Sequence, residues 1–337
     1  MEQNIAENLW SHIHTLCDPE ILYHSRIHRI RSFDTANCEV YLKREDESGF
    51  GISGYKRRKY ASLLPFLLKH KYEKAYIIGG AYSNHVHGVS QLIKEAGLSV
   101  HAFLKAPHNP SLKGNLLLNR LILSDEEITW VPVKEWPGVL LSAEEHASQD
   151  VQPTYVIPEG GACSPSLPGI FTLLEDIQLN ERQAGFQFDH LFIDAGTGYT
   201  AAAVHYLSSL QQRHTHLHVI CMADQPGAFQ QVYHQVVQDA ADSLSLIPPQ
   251  NQSSLSLYSP YTAASFGSIN RDVLAACLYF ARKEGVFTDP VYATKLFMNA
   301  HRIIRDNQLQ GRILIIHSGG GTGLMGFSTQ LEKLMTH

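Results

Sequence analysis

Short apolar runs that end in glycine-rich turns recur along the chain. Ala75–Ile78 runs into GGAYSNH, Leu191–Ile193 into DAGTGYT and Ile313–Ile316 into HSGGGTG. Each run has the length of a buried strand, and each turn opens a helix-like segment. Alternation of this kind predicts an α/β fold with a mostly parallel sheet. Turns at the carboxyl ends of such strands are where ligands bind, so three of them imply one composite pocket. From Lys56 to Leu68 the apolar positions Tyr60, Leu63, Leu64, Leu67 and Leu68 make one helical face. Ser53 and Gly54 stand before it as capping residues, and Pro65 should kink or restart it. Lys56 then falls at the helix start, off the buried stripe. Val86, Val89, Leu92 and Ile93 mark a second helix after GGAYSNH.

Length and composition narrow the class. The chain has 337 residues, enough for two domains. Apolar residues make up 44% of it, which fits a folded globular protein. A formal charge of −5 argues against a dedicated polyanion binder, so no nucleic-acid partner is expected. No stretch reaches the roughly 18 apolar residues of a membrane span. The start Met1-Glu2-Gln3-Asn4 lacks the features of a signal peptide, and the expected compartment is the cytoplasm. Cys17, Cys38, Cys163, Cys221 and Cys277 are scattered without CxxC spacing, so reduced thiols are expected. His214, His216 and His218 alternate and would share one face of a strand. No carboxylate or cysteine joins them in a ligand spacing, so a solvated strand start is preferred and no metal site is assigned.

Five motifs carry possible chemistry. Lys43-Arg44-Glu45-Asp46 is followed by Ser53-Gly54-Tyr55-Lys56-Arg57-Arg58-Lys59. Such a basic cluster is either a solvated face or the setting of a Schiff-base lysine. In the second case Arg57, Arg58 and Lys59 would lower the lysine's pKa, as would a helix N-terminus. The turn at Ser83, Asn84 and His85 either caps a helix or presents N–H and side-chain donors to an anion such as a carboxylate. Gly196, Thr197, Gly198 and Thr200 can cup a phosphate; with Asp224 ending the next strand they also match a dinucleotide fingerprint. The glycines after His317 and Ser318 imply close approach or a flexible turn. Pro290 starts a helix, and Tyr292 beside it faces a pocket or the core.

In this order along most of the chain, the segments KREDESGFGISGYKRRK, GGAYSNH, KGNLLLNR, YVIPEGGACSPSLPG, DAGTGYTAA, TDPVYATK and IIHSGGGTG resemble the 1-aminocyclopropane-1-carboxylate deaminases and D-cysteine desulfhydrases. These are fold-type-II pyridoxal-phosphate enzymes related to the tryptophan synthase β chain. The resemblance implies two domains, each an open, mostly parallel sheet flanked by helices, with pyridoxal 5'-phosphate in the cleft between them. Residues 1–46 and 160–337 would form the larger, cofactor-binding domain and residues 47–159 the smaller one. It implies Lys56 as cofactor lysine, with Lys59 one turn later as competitor. Asn84 would bond the cofactor's ring oxygen. Ser83, Asn84 and His85 would line the substrate-carboxylate site, Gly196, Thr197, Gly198 and Thr200 the phosphate. Tyr292 would stand beside a small amino-acid substrate. Lys56, Tyr292 and Ser83 are the catalytic candidates, and a homodimer is implied.

Departures from the deaminase pattern bear on the reaction. Phe266 occupies the place of a second tyrosine, and Tyr261 could substitute only if the loop is shifted. Ala293 replaces a glutamate near the pyridine nitrogen. Ser318 replaces a leucine and becomes the candidate partner of that nitrogen. Desulfhydrases carry small hydroxyl residues at these last two places. Tyr199 stands in the phosphate loop where a smaller residue is common. The expected reaction is therefore α,β-elimination from a small D-amino acid, D-cysteine foremost, by a lyase. The cyclopropane deaminase, classed as a hydrolase, is the runner-up. A nucleotide-binding protein without pyridoxal phosphate is the third reading.

Overall fold

The computed structural model describes residues 2–108, 110–223 and 225–336. The first half of the chain runs α1 (Glu2–Thr15), β1 (Ile27–Arg29), β2 (Cys38–Lys43), α2 (Lys56–Lys69), β3 (Lys74–Gly80), α3 (Asn84–Glu95), β4 (Ser99–Lys105), α4 (Gly114–Ile122), β5 (Ile128–Val131), α5 (Val139–Gln149) and β6 (Thr154–Ile157). It continues with α6 (Leu167–Ala184), β7 (His190–Ala195), α7 (Tyr199–Leu210), β8 (His216–Cys221), α8 (Phe229–Leu244) and β9 (Leu255–Tyr258). The last elements are α9 (Arg271–Glu284), α10 (Ala293–Asp306), β10 (Gly311–Ile316), α11 (Gly321–Leu324) and α12 (Ser328–Met335). Asp224 lies outside the described residues.

Two compact units result. The first holds residues 1–23, 49–52 and 56–169; the second holds 24–48, 53–55 and 170–337. In the first, four strands lie in the order β5-β4-β3-β6, all parallel. Burial of Ile77, Val86, Val89 and Ile93 beside Tyr60, Leu63 and Leu67 joins α2 and α3 to this sheet in one core. Each such aliphatic side chain contributes about 1.5–3 kcal/mol on burial. The second unit has six strands in the order β1-β2-β10-β7-β8-β9, parallel except for the β1–β2 pair. Its core gathers Val40, Leu42, Phe192, Ile313 and Ile315 from the strands and Leu296, Phe297 and Ile304 from α10.

Three local expectations are altered. The helix expected to kink at Pro65 is continuous from Lys56 to Lys69. Proline cannot donate to the carbonyl four residues back. That carbonyl, on Ala61, instead accepts the Asp18 N–H at 2.7 Å. This bond, the Arg57 Nε–Ile21 carbonyl bond at 2.7 Å and the packing of Arg58 over the Tyr23 ring tie the first 23 residues to the first unit. Lys43, read as part of a basic cluster, is fully buried at the end of β2. Its Nζ donates to the Ser25 carbonyl at 2.7 Å, to Asp176 at 2.5 Å and to Asn180. Ser53 and Gly54, read as helix caps, meet the HSGGG turn in the second unit. Gly320 N–H donates to Ser53 Oγ at 3.5 Å, and a Cβ on Gly54 would collide with the Ser318 carbonyl.

Candidate active site

In the first unit the site is built on the starts of α2 and α3. Lys56 is the first residue of α2 and is half-buried, whereas Arg58 and Lys59 are almost wholly buried. The solvated-face reading of this cluster therefore fails at its centre. Lys59 Nζ donates to the Gly160 carbonyl at 2.8 Å. Burial, aided by the charge of Lys56, lowers the Lys59 pKa from 10.5 to about 7. An ammonium is disfavoured in this corner because solvation is lost and a second cation stands near. Gly160 thus takes one hydrogen bond from the buried Lys59 amine.

Ser83 is the N-cap of α3, its Oγ accepting the His85 N–H at 3.1 Å. The capping reading of this turn holds, and it fixes the first-turn amides that an anion would meet. Asn84 Oδ1 accepts from Asn115 Nδ2 at 2.9 Å, which leaves Nδ2 as the donor end of the Asn84 amide. Asn115 also donates to the Tyr82 carbonyl at 3.0 Å, and Asn119 Nδ2 donates to the Ala81 carbonyl at 2.8 Å. These two residues, both buried in α4, brace the whole turn. Their roles were missed from sequence, although KGNLLLNR was noted. Their spacing of four, which puts both on one helix face, was the available signal. His85 does not share the surface position of Ser83. It is buried, with Nδ1 3.0 Å from Tyr60 Oη, and burial beside Lys59 and Lys56 holds its pKa well below the usual imidazole range. His85 is thus a neutral group under the turn.

The second unit carries the phosphate loop. β7 ends at Ala195, and Gly196, Thr197 and Gly198 lead into α7. Gly198 is the N-cap with φ of 81°, a left-handed conformation that glycine adopts without strain. A methyl group on Gly196 would sit 3.5 Å from the Tyr292 ring and hydroxyl, so the bare backbone forms a small cradle under Tyr292. Tyr199 is fully buried, and its hydroxyl donates to Asp239 of α8 at 2.6 Å. Its ring points into the α7–α8 packing and does not occupy the cradle, which resolves the oddity noted in the sequence.

Tyr292 precedes α10 and is held from below by Asp289. The Asp289 carboxylate accepts the N–H groups of Val291 and Tyr292 at 2.9 Å and of Ala293 at 3.0 Å. Burial nonetheless raises the Asp289 pKa, and the nearby Asp194 charge adds to this. Tyr55 is buried beside Asp194, its hydroxyl 3.3 Å from the Asp194 carboxylate. Desolvation, reinforced by Asp194, raises the Tyr55 pKa far above its usual value. Two buried carboxylates and two tyrosines therefore meet at the end of β7, a grouping unread in the sequence because its members lie far apart along it. Phe266 packs edge-on to Tyr292 with ring centroids 6.1 Å apart. Tyr261 lies instead under the Arg302 guanidinium, 4.8 Å away. Ser318 is buried at the end of β10, next to His317. His317 Nε2 donates to the Phe287 carbonyl at 2.8 Å while Nδ1 accepts from Gly319 N–H at 3.2 Å, which assigns the Nε2–H tautomer.

These residues suit pyridoxal phosphate. The glycine cradle at a helix start, with two threonine hydroxyls, suits its phosphate. The Lys56 amine, at the N-terminus of α2 beside the cations Arg57 and Lys59, suits its aldehyde.

Fold and site together define a fold-type-II α/β enzyme built to hold this cofactor. Residues 23–319 match the family described as pyridoxal-phosphate dependent enzyme. The chain belongs to that family, and pyridoxal phosphate is its cofactor. This overturns the reading as a nucleotide-binding protein without it. A putative 1-aminocyclopropane-1-carboxylate deaminase of Pyrococcus furiosus is 28% identical over 303 residues, covering 88% of this chain and 89% of the relative. A bifunctional D-cysteine desulfhydrase/1-aminocyclopropane-1-carboxylate deaminase, mitochondrial, of Arabidopsis thaliana is 29% identical over 315 residues, covering 88% of this chain and 76% of the relative. The crystal structure of an ACC deaminase homologue aligns with a TM-score of 0.81 at 25% identity, covering 96% of this chain and 98% of the other. Among the described residues no helix is long and apolar enough to cross a membrane.

Proposed function

We propose that the protein catalyses α,β-elimination from a small D-amino acid, with D-cysteine to pyruvate, ammonia and hydrogen sulfide as the leading reaction. The observation that carries this reading is the surroundings of Tyr292. Phe266, edge-on to Tyr292, stands in the place that the resemblance gives to a second tyrosine, and it has no phenol to act as nucleophile or base in ring opening. The next residue, Ala293, is fully buried and offers no carboxylate.

When bound, the cofactor supplies an electron sink for charge that develops at the substrate α-carbon. Lys56 would hold the cofactor through its amine and, with substrate bound, would accept the α-proton. An amine does this near neutral pH only where its charge is disfavoured, and Lys56 stands at a helix N-terminus beside the cations Arg57 and Lys59. Ser83 and the first-turn amides of α3 would bind the substrate carboxylate, while Asn84 Nδ2 would donate to the cofactor's ring oxygen. Gly196, Thr197, Gly198 and Thr200 would hold the phosphate. The Ser318 hydroxyl would serve the ring nitrogen, and a hydroxyl there would leave that nitrogen largely unprotonated. Tyr292 stands beside the substrate and shapes access to it.

A second reading is ring-opening deamination, favoured by the names of the two relatives. It breaks a carbon–carbon bond, so it is lyase-type chemistry, and the hydrolase class expected from sequence is corrected. Purified protein given D-cysteine, D-serine or the cyclopropane acid separates the two. Sulfide and pyruvate from D-cysteine support the first; 2-oxobutanoate from the cyclopropane acid, with no sulfide, overturns it. Lys56→Ala should lose the visible cofactor absorbance and all activity. Borohydride reduction should label the peptide containing Lys56; label on Lys59 would reverse the assignment. A homodimer and a cytoplasmic setting complete this proposal, the second in keeping with five cysteines not joined in disulfides.

A further inference from the structure

Three histidines of the second unit lie at the other ends of its strands from the phosphate loop. His190 opens β7, and His216 and His218 lie on β8, where His190 pairs with His216 and Phe192 with His218. Residues two apart on paired parallel strands share a face, so the three rings come together. One nitrogen from each lies within 4.8 Å of the others, and His190 Nδ1 is 3.0 Å from His218 Nε2. Two imidazole nitrogens on one tetrahedral zinc ion, each bonded at about 2.0–2.1 Å, are separated by roughly 3.3 Å.

Each ring also has a further polar partner. Ser256 Oγ is 2.8 Å from His216 Nε2, Tyr258 Oη is 3.2 Å from His218 Nδ1, and His190 also hydrogen-bonds the backbone of Gln310. Metal-binding histidines ordinarily engage their second nitrogen in this way, which fixes tautomer and ring direction. Asp189, next to His190, is the nearby acidic charge. His190 and His216 are half-buried and give an ion its entry, while His218 is buried against Phe192.

We propose that His190, His216 and His218 form a site for a divalent transition-metal ion of the zinc class. His218 Nε2 and His190 Nδ1 supply two ligands. His216 swings out of its present stack on His218, where the rings are 13° from parallel at 4.3 Å, to supply the third. The site lies about 20 Å along β7 from the phosphate loop, at about 3.3 Å per residue, and acts on stability. It replaces the expected solvated strand start. His214, grouped with these histidines in the sequence, is exposed and precedes β8.

The test uses tag-free holoenzyme stripped with a chelator and titrated with zinc chloride. The expected result is one tightly retained zinc per chain and a raised melting temperature. His190→Ala and His216→Ala should each weaken zinc retention at least tenfold and abolish the thermal shift, with elimination activity kept within about twofold. Wild-type protein loaded with cobalt should show the intense visible bands of a tetrahedral site, a measurement that needs no variant to fold. Zinc retained equally by both variants, no zinc retained by wild type, or no tetrahedral cobalt spectrum would each overturn the proposal.

Discussion

At the residue scale, most chemistry-bearing side chains here are set by what lies beneath them. Lys59 reads in the sequence like Lys56, three positions apart in one basic run. Burial and the bond to Gly160 separate them: Lys59 is enclosed, whereas Lys56 at the helix start is half-buried. Tyr199 is the other instructive case. A large residue in a phosphate loop would block it if the ring pointed inward; here the hydroxyl is anchored on Asp239. Removing that hydroxyl leaves the Asp239 carboxylate, whose pKa burial already raises, without this donor. Tyr199→Phe should therefore destabilise the fold by about 1–3 kcal/mol while changing cofactor affinity less than threefold. Chemical denaturation and cofactor titration check this; a large loss of affinity with unchanged stability would mean that the hydroxyl serves the phosphate.

At the scale of elements, the turn before α3 is positioned by α4. Asn115 orients Asn84, and Asn119 holds the Ala81 carbonyl. Asn119→Ala leaves a buried carbonyl without this donor and should cost about 1–3 kcal/mol of stability. Asn115→Ala should mainly weaken cofactor binding, by roughly tenfold, since one hydrogen bond that orients the Asn84 amide is worth about 1.4 kcal/mol. The two variants thus separate bracing from binding. Equal effects of both on melting temperature and on cofactor affinity would refute the division of labour. Helix α2 shows the same dependence on neighbours. Its proline is accommodated because another segment supplies the N–H that the Ala61 carbonyl needs.

On the scale of the whole molecule, burying Lys59 ties stability to pH. The folded-state pKa is about 7 against 10.5 for the ordinary side chain. Between these values the unfolded chain binds the proton and the folded chain does not, so stability rises with pH across that window. Below about 7 both states are protonated and the full cost of the buried charge is present. Lys59→Met removes the effect. Wild-type unfolding free energy should therefore gain on the variant as pH goes from 7 to 10, by at most about 1.4 kcal/mol per unit. Parallel profiles for the two proteins would show that Lys59 is charged in the folded state.

The chain's own order of strands, glycine turns and amphipathic helices determined the fold class and the family, because period and turn chemistry are local properties. It also marked out Lys56, Ser83, Asn84, Gly196–Gly198, Tyr292 and Ser318, since these sit at strand ends or helix starts that a sequence displays directly. Burial and long-range pairing are not local, and they were decided only in three dimensions. Tertiary packing buried Lys43, Arg58, Lys59 and His85, and joined Tyr55 to Asp194 across 139 positions. It turned Tyr199 away from the cofactor loop and brought His190 beside His218 through the pairing of β7 with β8. A charge pattern alone cannot distinguish a solvated cation from a buried one, because that depends on what other segments cover it.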